Sequence, residues 1–123
     1  MQIKKWMVVA LVLCVSVTLP MLAGASDQNK LPLLLDLGAD KCVPCKLMAP
    51  ILEKMEHDYA GKMDVQFIDV WKKPEAAKPY GVRVIPTQIF YGSDGKELFR
   101  HQGFYGKEEI LAKWQELGYE FDQ

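Results

Sequence analysis

Cysteine is scarce in this chain: there are three in 123 residues, and only Cys42 and Cys45 lie beyond the first 25. That is too few for the disulfide framework that staples a small fold lacking a core. Histidine is scarcer still, with only His57 and His101. Two cysteines and two histidines at these separations do not match a short zinc finger, whose tetrahedral site needs four ligands. An excess of charge is missing as well. Fifteen Lys and Arg stand against sixteen Asp and Glu, and beyond residue 25 the balance is thirteen to sixteen. A nucleic-acid partner held through a basic patch is thereby excluded, since phosphates require clustered positive charge. No internal repeat or low-complexity segment occurs after Ser26.

What is present is a chain with the composition of a globular protein. Hydrophobic residues make up 50% and charged residues 25%, enough apolar surface to fill a core. The first 25 residues read as a leader. Met1 to Lys5 carries two lysines, Trp6 to Leu22 is almost continuously apolar, and Ala23-Gly24-Ala25 supplies small residues for a cut before Ser26. A retained anchor is the alternative, because an apolar run of about 17 residues is near the lower limit for spanning a bilayer; Pro20 near its end favours cleavage. Cys14 follows Leu13 rather than a small residue, which does not suit a lipoprotein signal. In either case Lys4 and Lys5 stay on the cytoplasmic side, so residues 26–123 are expected to form one exported domain, in the bacterial periplasm.

Within that domain the periodicities alternate. Leu31 to Leu37 is an apolar run broken only by Pro32 and Asp36 and bounded by Gly38, the pattern of a strand buried on both faces. Val43 to about Tyr59 places Leu47, Ile51, Leu52 and Met55 at helical intervals, with Pro50 expected to kink the helix. Val65 to Val70 predicts a second strand, and Pro74 to Lys78 a short helix. Thr87 to Tyr91 and Glu97 to His101 predict a hairpin turned at Gly92-Ser93-Asp94-Gly95. Lys107 to Leu117 predicts a final amphipathic helix with Ile110, Leu111, Trp114 and Leu117 inward. The order βαβαββα implies an α/β domain with helices on both faces of a sheet. His57 and His101 are expected at the surface, and Trp71, Trp114, Phe104 and Tyr105 in packing.

The chemistry lies in Cys42-Val43-Pro44-Cys45. The first sulfur, just ahead of a helix, faces the positive end of the helix dipole beside Lys41, which favours the thiolate. Cys42 is therefore the candidate nucleophile. Cys45, one turn on and further inside, is the candidate resolving thiol. Such a pair attacks a disulfide through Cys42 and releases the product when Cys45 attacks the mixed disulfide. Asp36, six residues before Cys42 on a buried strand, is the candidate acceptor of the Cys45 proton, because desolvation raises a carboxyl pKa toward neutrality. Capping of a backbone group is the plainer role for Asp36. For the cysteines, the plainer roles are metal ligation and a static disulfide, although so small a loop stabilises little.

Leu34-Leu-Asp-Leu37, Cys42-Val-Pro-Cys-Lys46 with Ala49-Pro50, Tyr80-Gly-Val-Arg-Val-Ile-Pro-Thr87 and Gly103 before the last helix resemble the successive motifs of the thioredoxin family. The resemblance implies a thioredoxin fold with a central mixed β-sheet flanked by helices, and a redox pair Cys42–Cys45 that works without cofactor or metal. It implies that Asp36 is the buried carboxylate and that Pro86 is a cis-proline facing the cysteines. Ile85 then offers its backbone to an extended client segment. Val43, Pro44, Ile85 and Pro86 are thus the candidate client-binding residues. Four features depart from the family pattern. Only Ser26 to Lys30 precedes the central strand, so the domain is trimmed at that end. Lys41 replaces the tryptophan before the first cysteine, Gly38 replaces an aromatic residue, and Phe67 replaces the lysine that often partners the buried acid.

The implied activity is thiol–disulfide exchange by a monomer acting on disulfide-containing client proteins. Pro44 and Ile85 resemble the reducing members, so the expected direction is reduction, for example of apocytochromes during cytochrome c maturation. Electrons would come from a membrane thiol–disulfide conduit of the DsbD type. The alternatives are a disulfide-forming oxidase or isomerase, and a non-catalytic module that only holds clients.

Overall fold

A computed structural model describes residues 30–122. The leader, Cys14 and the cut before Ser26 lie outside the described residues. Four strands and three helices follow in the order β1 (Leu33–Gly38), α1 (Val43–Asp58), β2 (Asp64–Asp69), α2 (Pro74–Ala77), β3 (Thr87–Tyr91), β4 (Glu97–Gln102) and α3 (Lys107–Glu116), with one 3₁₀ turn at Lys78–Tyr80 after α2. The sheet runs β2-β1-β3-β4. β1 is parallel to β2 and antiparallel to β3, and β3 and β4 form the hairpin, so the sheet is mixed.

The apolar run of β1 lies in the middle of the sheet, and alternation sends its side chains to two separate cores. Leu34 faces α1 and α3 in a cluster with Met48, Leu52, Met55, Tyr59, Phe90, Ile110 and Trp114. Leu35 and Leu37 face the other way, with Ile89 and Ala77 of α2. Helices cover both faces, as the element order implied. Trp114 is wholly buried, and its ring lies 4.8 Å from that of Phe90. Gly95, at φ 78°, supplies the left-handed residue the hairpin needs.

Three expectations need correction. The inward face of α1 is Cys45, Met48, Leu52 and Met55, whereas Leu47 is 57% exposed. Trp71 and Phe104, expected in packing, are 60% and 46% exposed. His57 is exposed, but His101 is half-buried, stacked on Tyr105 with ring centroids 4.0 Å apart.

Candidate active site

Strand β1 ends at Gly38, and a four-residue loop delivers the chain to the start of α1. Cys42 is the N-cap of α1: its φ and ψ of −81° and 123° are extended, and its carbonyl accepts the Lys46 N–H at 3.0 Å. Pro44 fits the first turn because the N–H it lacks would have no partner within the helix. Cys42 is half-exposed and Cys45 buried, both as free thiols. Burial pushes the Cys45 thiol up to about 12, helped by a hydrogen bond with Cys42 and the nearby negative charges of Cys42 and Asp36; the Ala39 backbone N–H pulls the other way.

Asp36 is fully buried and faces the α1 side of the sheet, on the same face as Leu34. Burial raises its carboxyl to about 6, and a hydrogen bond from Gln88 moderates the rise. Gln88 stands opposite Asp36 in the β1–β3 register, and its Nε2 donates to Asp36 Oδ1 across 2.7 Å. On the other flank, Phe67 of β2 is the register partner of Asp36, so the position where a lysine often stands holds a ring instead. Gly38 makes that ring possible. A Cβ built there would lie 3.1 Å from the Phe67 ring and 3.1 Å from Cys45 Sγ, inside van der Waals contact. Gly38 and the Phe67 ring thus share one space beside Cys45. A groove of about 520 Å³ runs along this flank, lined by Cys45, Ala49, Leu52, Val65 and Phe67 among others.

The Ile85–Pro86 peptide bond is cis, as the resemblance implied. Its loop is braced from two sides: Thr87 Oγ1 donates to the Val84 carbonyl at 2.6 Å, and the Pro86 carbonyl accepts the Gly103 N–H at 2.8 Å. Pro86 is buried and Ile85 half-buried, and among the described residues no backbone hydrogen bond engages Ile85. Val43 is 70% exposed and Pro44 half-buried.

Two residues escaped the sequence reading. Gln88 is one; the signal was a lone amide in the otherwise apolar stretch that follows Thr87. The other is Asp69, nearly buried at the end of β2. Its carboxylate accepts N–H groups from Asp40 at 3.1 Å and from Trp71 and Lys72 at 2.9 Å each. Asp69 thus ties the loop before Cys42 to the turn after β2. Among the described residues no group of three or more His, Cys, Asp or Glu side chains is placed to hold a metal ion.

The thioredoxin family model matches residues 24–116, most of the chain. The chain belongs to the thioredoxin family. Thioredoxins of Staphylococcus aureus strains Mu50 and MW2 are each 42% identical over 83 residues, covering 65% of this chain and 79% of the relative. A solved structure described as that of a malarial protein superposes with a TM-score of 0.65 at 20% identity, covering 71% of this chain and 97% of the other, a likeness of fold. Membership makes the protein a thiol–disulfide oxidoreductase that acts on disulfide-containing substrates.

Proposed function

We propose that this thioredoxin-family protein is an exported reductase of protein disulfides, in which Cys42 attacks, Cys45 resolves and Asp36 accepts the Cys45 proton. The observation that carries the reading is the inequality of the two sulfurs. Cys42 is half-exposed at a helix start, while the Cys45 thiol lies buried and is pushed to about 12, far too high to lose its proton to water at neutral pH. Resolution therefore needs an internal base. A carboxyl near 6 on the adjoining strand is matched to that task. The client segment lies extended along the unengaged backbone of Ile85, against Pro86, Val43 and Pro44. The exposed apolar side chains of Val43, Leu47 and Val84 suit a client whose disulfide is flanked by apolar residues.

Export rests on the leader sequence, Lys4 and Lys5 followed by the apolar run to Leu22. In an oxidising compartment a reductase needs a continuous supply of electrons, and a membrane conduit of the DsbD type would provide it, with apocytochromes awaiting haem as one client class. Among the described residues no helix is long and apolar enough to cross a membrane. The direction of electron flow is read from Pro44 and Ile85, which resemble the reducing members, whereas the oxidising ones typically carry a histidine at the place of Pro44. Two measurements test the reading. Insulin reduction by dithiothreitol should accelerate with the protein, which a client-holding module would not do. The Cys42/Cys45 couple should equilibrate on the reducing side, and a potential more oxidising than about −180 mV would reverse the assignment.

A further inference from the structure

The Asp36–Gln88 pair supports one more step. Gln88 is fully buried, and the antiparallel register holds it directly opposite Asp36. Two atoms of the pair have no hydrogen-bond partner among the described residues: Asp36 Oδ2 and Gln88 Oε1. Two idle oxygens are what a carboxylate and an amide leave behind when the amide serves the charged acid through its nitrogen. Once the acid is protonated it has a hydrogen to donate, and a half-turn of the amide about its last torsion presents Oε1 to accept it. A lysine in this place would favour the charged form alone. Both forms matter here, because burial holds Asp36 near 6, close to working pH.

We propose that Gln88 is the positioning residue of the resolving step, an amide switch that donates through Nε2 to Asp36 as carboxylate and accepts through Oε1 from Asp36 as acid. The inference rests on the reading of Asp36 as proton acceptor. In that step Cys45 Sγ bonds to Cys42 Sγ, the Cys42–client disulfide breaks, and its electron pair leaves on the client sulfur. In this step Cys45 is oxidised and the client sulfur reduced; over the attack by Cys42 and this resolution together, the two protein thiols lose two electrons to the client disulfide. The proton of Cys45 passes to Asp36 and from there to the departing client thiolate. As it arrives the amide turns, so that neither protonation state leaves Asp36 without a partner in a buried site.

Of the ionisable groups around the pair, Cys45 of α1 lies within electrostatic reach of Asp36, Asp69 stands two residues beyond Phe67 on the same face of β2 but is engaged by three backbone N–H groups, and His101 is paired with Gln88 in the β3–β4 register. The test is stopped-flow resolution of a Cys42 mixed disulfide from pH 5 to 9. Gln88→Met keeps the volume and removes the amide. Loss of a charge-assisted hydrogen bond should move the acid limb up by about one pH unit, slowing resolution about fivefold at pH 6 and leaving pH 8.5 unchanged. In an Asp36→Asn background the same substitution should add nothing, and His101→Gln should leave the midpoint in place. A limb that does not move, or equal slowing at every pH, would make Gln88 a packing residue. In wild-type protein the side-chain amide ¹⁵N signal of Gln88 should titrate with the Asp36 carboxyl, and an amide indifferent to pH would overturn the switch even if Gln88→Met folded poorly. Asp36→Asn alone should slow resolution about 10²-fold at pH 7. A wild-type rate there would instead refute Asp36 as the base, so the two failures are distinguishable.

Discussion

The two cysteines differ by one helical turn in sequence and by far more in environment. Cys42 is half-exposed at the start of α1, whereas Cys45 is 4% exposed with its thiol held near 12. Iodoacetamide at pH 7 should therefore modify Cys42 much faster than Cys45 in the reduced protein, a difference that mass mapping of the alkylated peptides will show. Equal rates would contradict the division of labour. Cys45→Ser should accumulate covalent mixed disulfides with clients on a non-reducing gel, and Cys42→Ser should accumulate none. These two residues, Asp36 and Pro86 were legible because motif spacing marks them. Gln88 was not, since its role depends on which residue of β3 faces Asp36, and register is a tertiary outcome. The fit of Phe67 against Gly38 was hidden for the same reason: each reads as a lost feature alone, and only the side-by-side pairing of β1 and β2 shows them sharing one space.

At the scale of elements, all seven predicted segments form, because long periodic runs specify their own type. The helix face was less legible. Leu47 and Met48 are adjacent and both apolar, so two inward stripes compete, and the burial of Cys45 selects the one that continues through Met48, Leu52 and Met55. Leu47 then emerges on the outer surface near Val43. The joints between elements were the least legible, and Asp69 shows why. Its three accepted N–H groups come from both sides of the site, and an ion pair between Lys72 and Asp40 spans the same gap. Hydrogen bonds from the Lys72, Asp40 and Trp71 N–H groups hold its carboxyl below the ordinary range. Asp69→Ala should speed hydrogen exchange at the amides of Asp40, Trp71 and Lys72 and lower the unfolding midpoint. Asp69→Asn, which keeps one accepting oxygen, should fall between. Because a lowered carboxyl pKa stabilises the fold above the unfolded value and loses that contribution as pH falls, the gap between wild type and the Ala variant should narrow in acid. Unchanged exchange at Asp40 would show that the loop before Cys42 is held by something else.

For the whole molecule, the cost of keeping a base in the core is readable as a dependence of stability on pH. Asp36 titrates near 6 in the folded chain against 3.8 when free. Between those values the folded chain keeps a proton that the unfolded chain has released, so stability falls as pH rises across the interval and stays low above it. A shift of that size corresponds to at most about 3 kcal/mol. Other carboxyls act in the opposite sense; Asp58, held near 2 by hydrogen bonds from Lys54 and Lys107, contributes stability that is lost in acid. The contribution of Asp36 is therefore best isolated by difference. Asp36→Asn keeps an oxygen for the Gln88 Nε2 and never ionises, so it should be more stable than wild type by about 2 kcal/mol at pH 7, with the advantage shrinking to nearly nothing by pH 4. Denaturant unfolding of both proteins at pH 4, 5.5 and 7 measures this directly. A variant that is weaker at pH 7, or an advantage that does not change with pH, would mean that burial does not raise the Asp36 carboxyl. The expected result would instead tie function to fold: the stability that Asn restores at neutral pH is what the protein forgoes to keep a working proton acceptor beside Cys45.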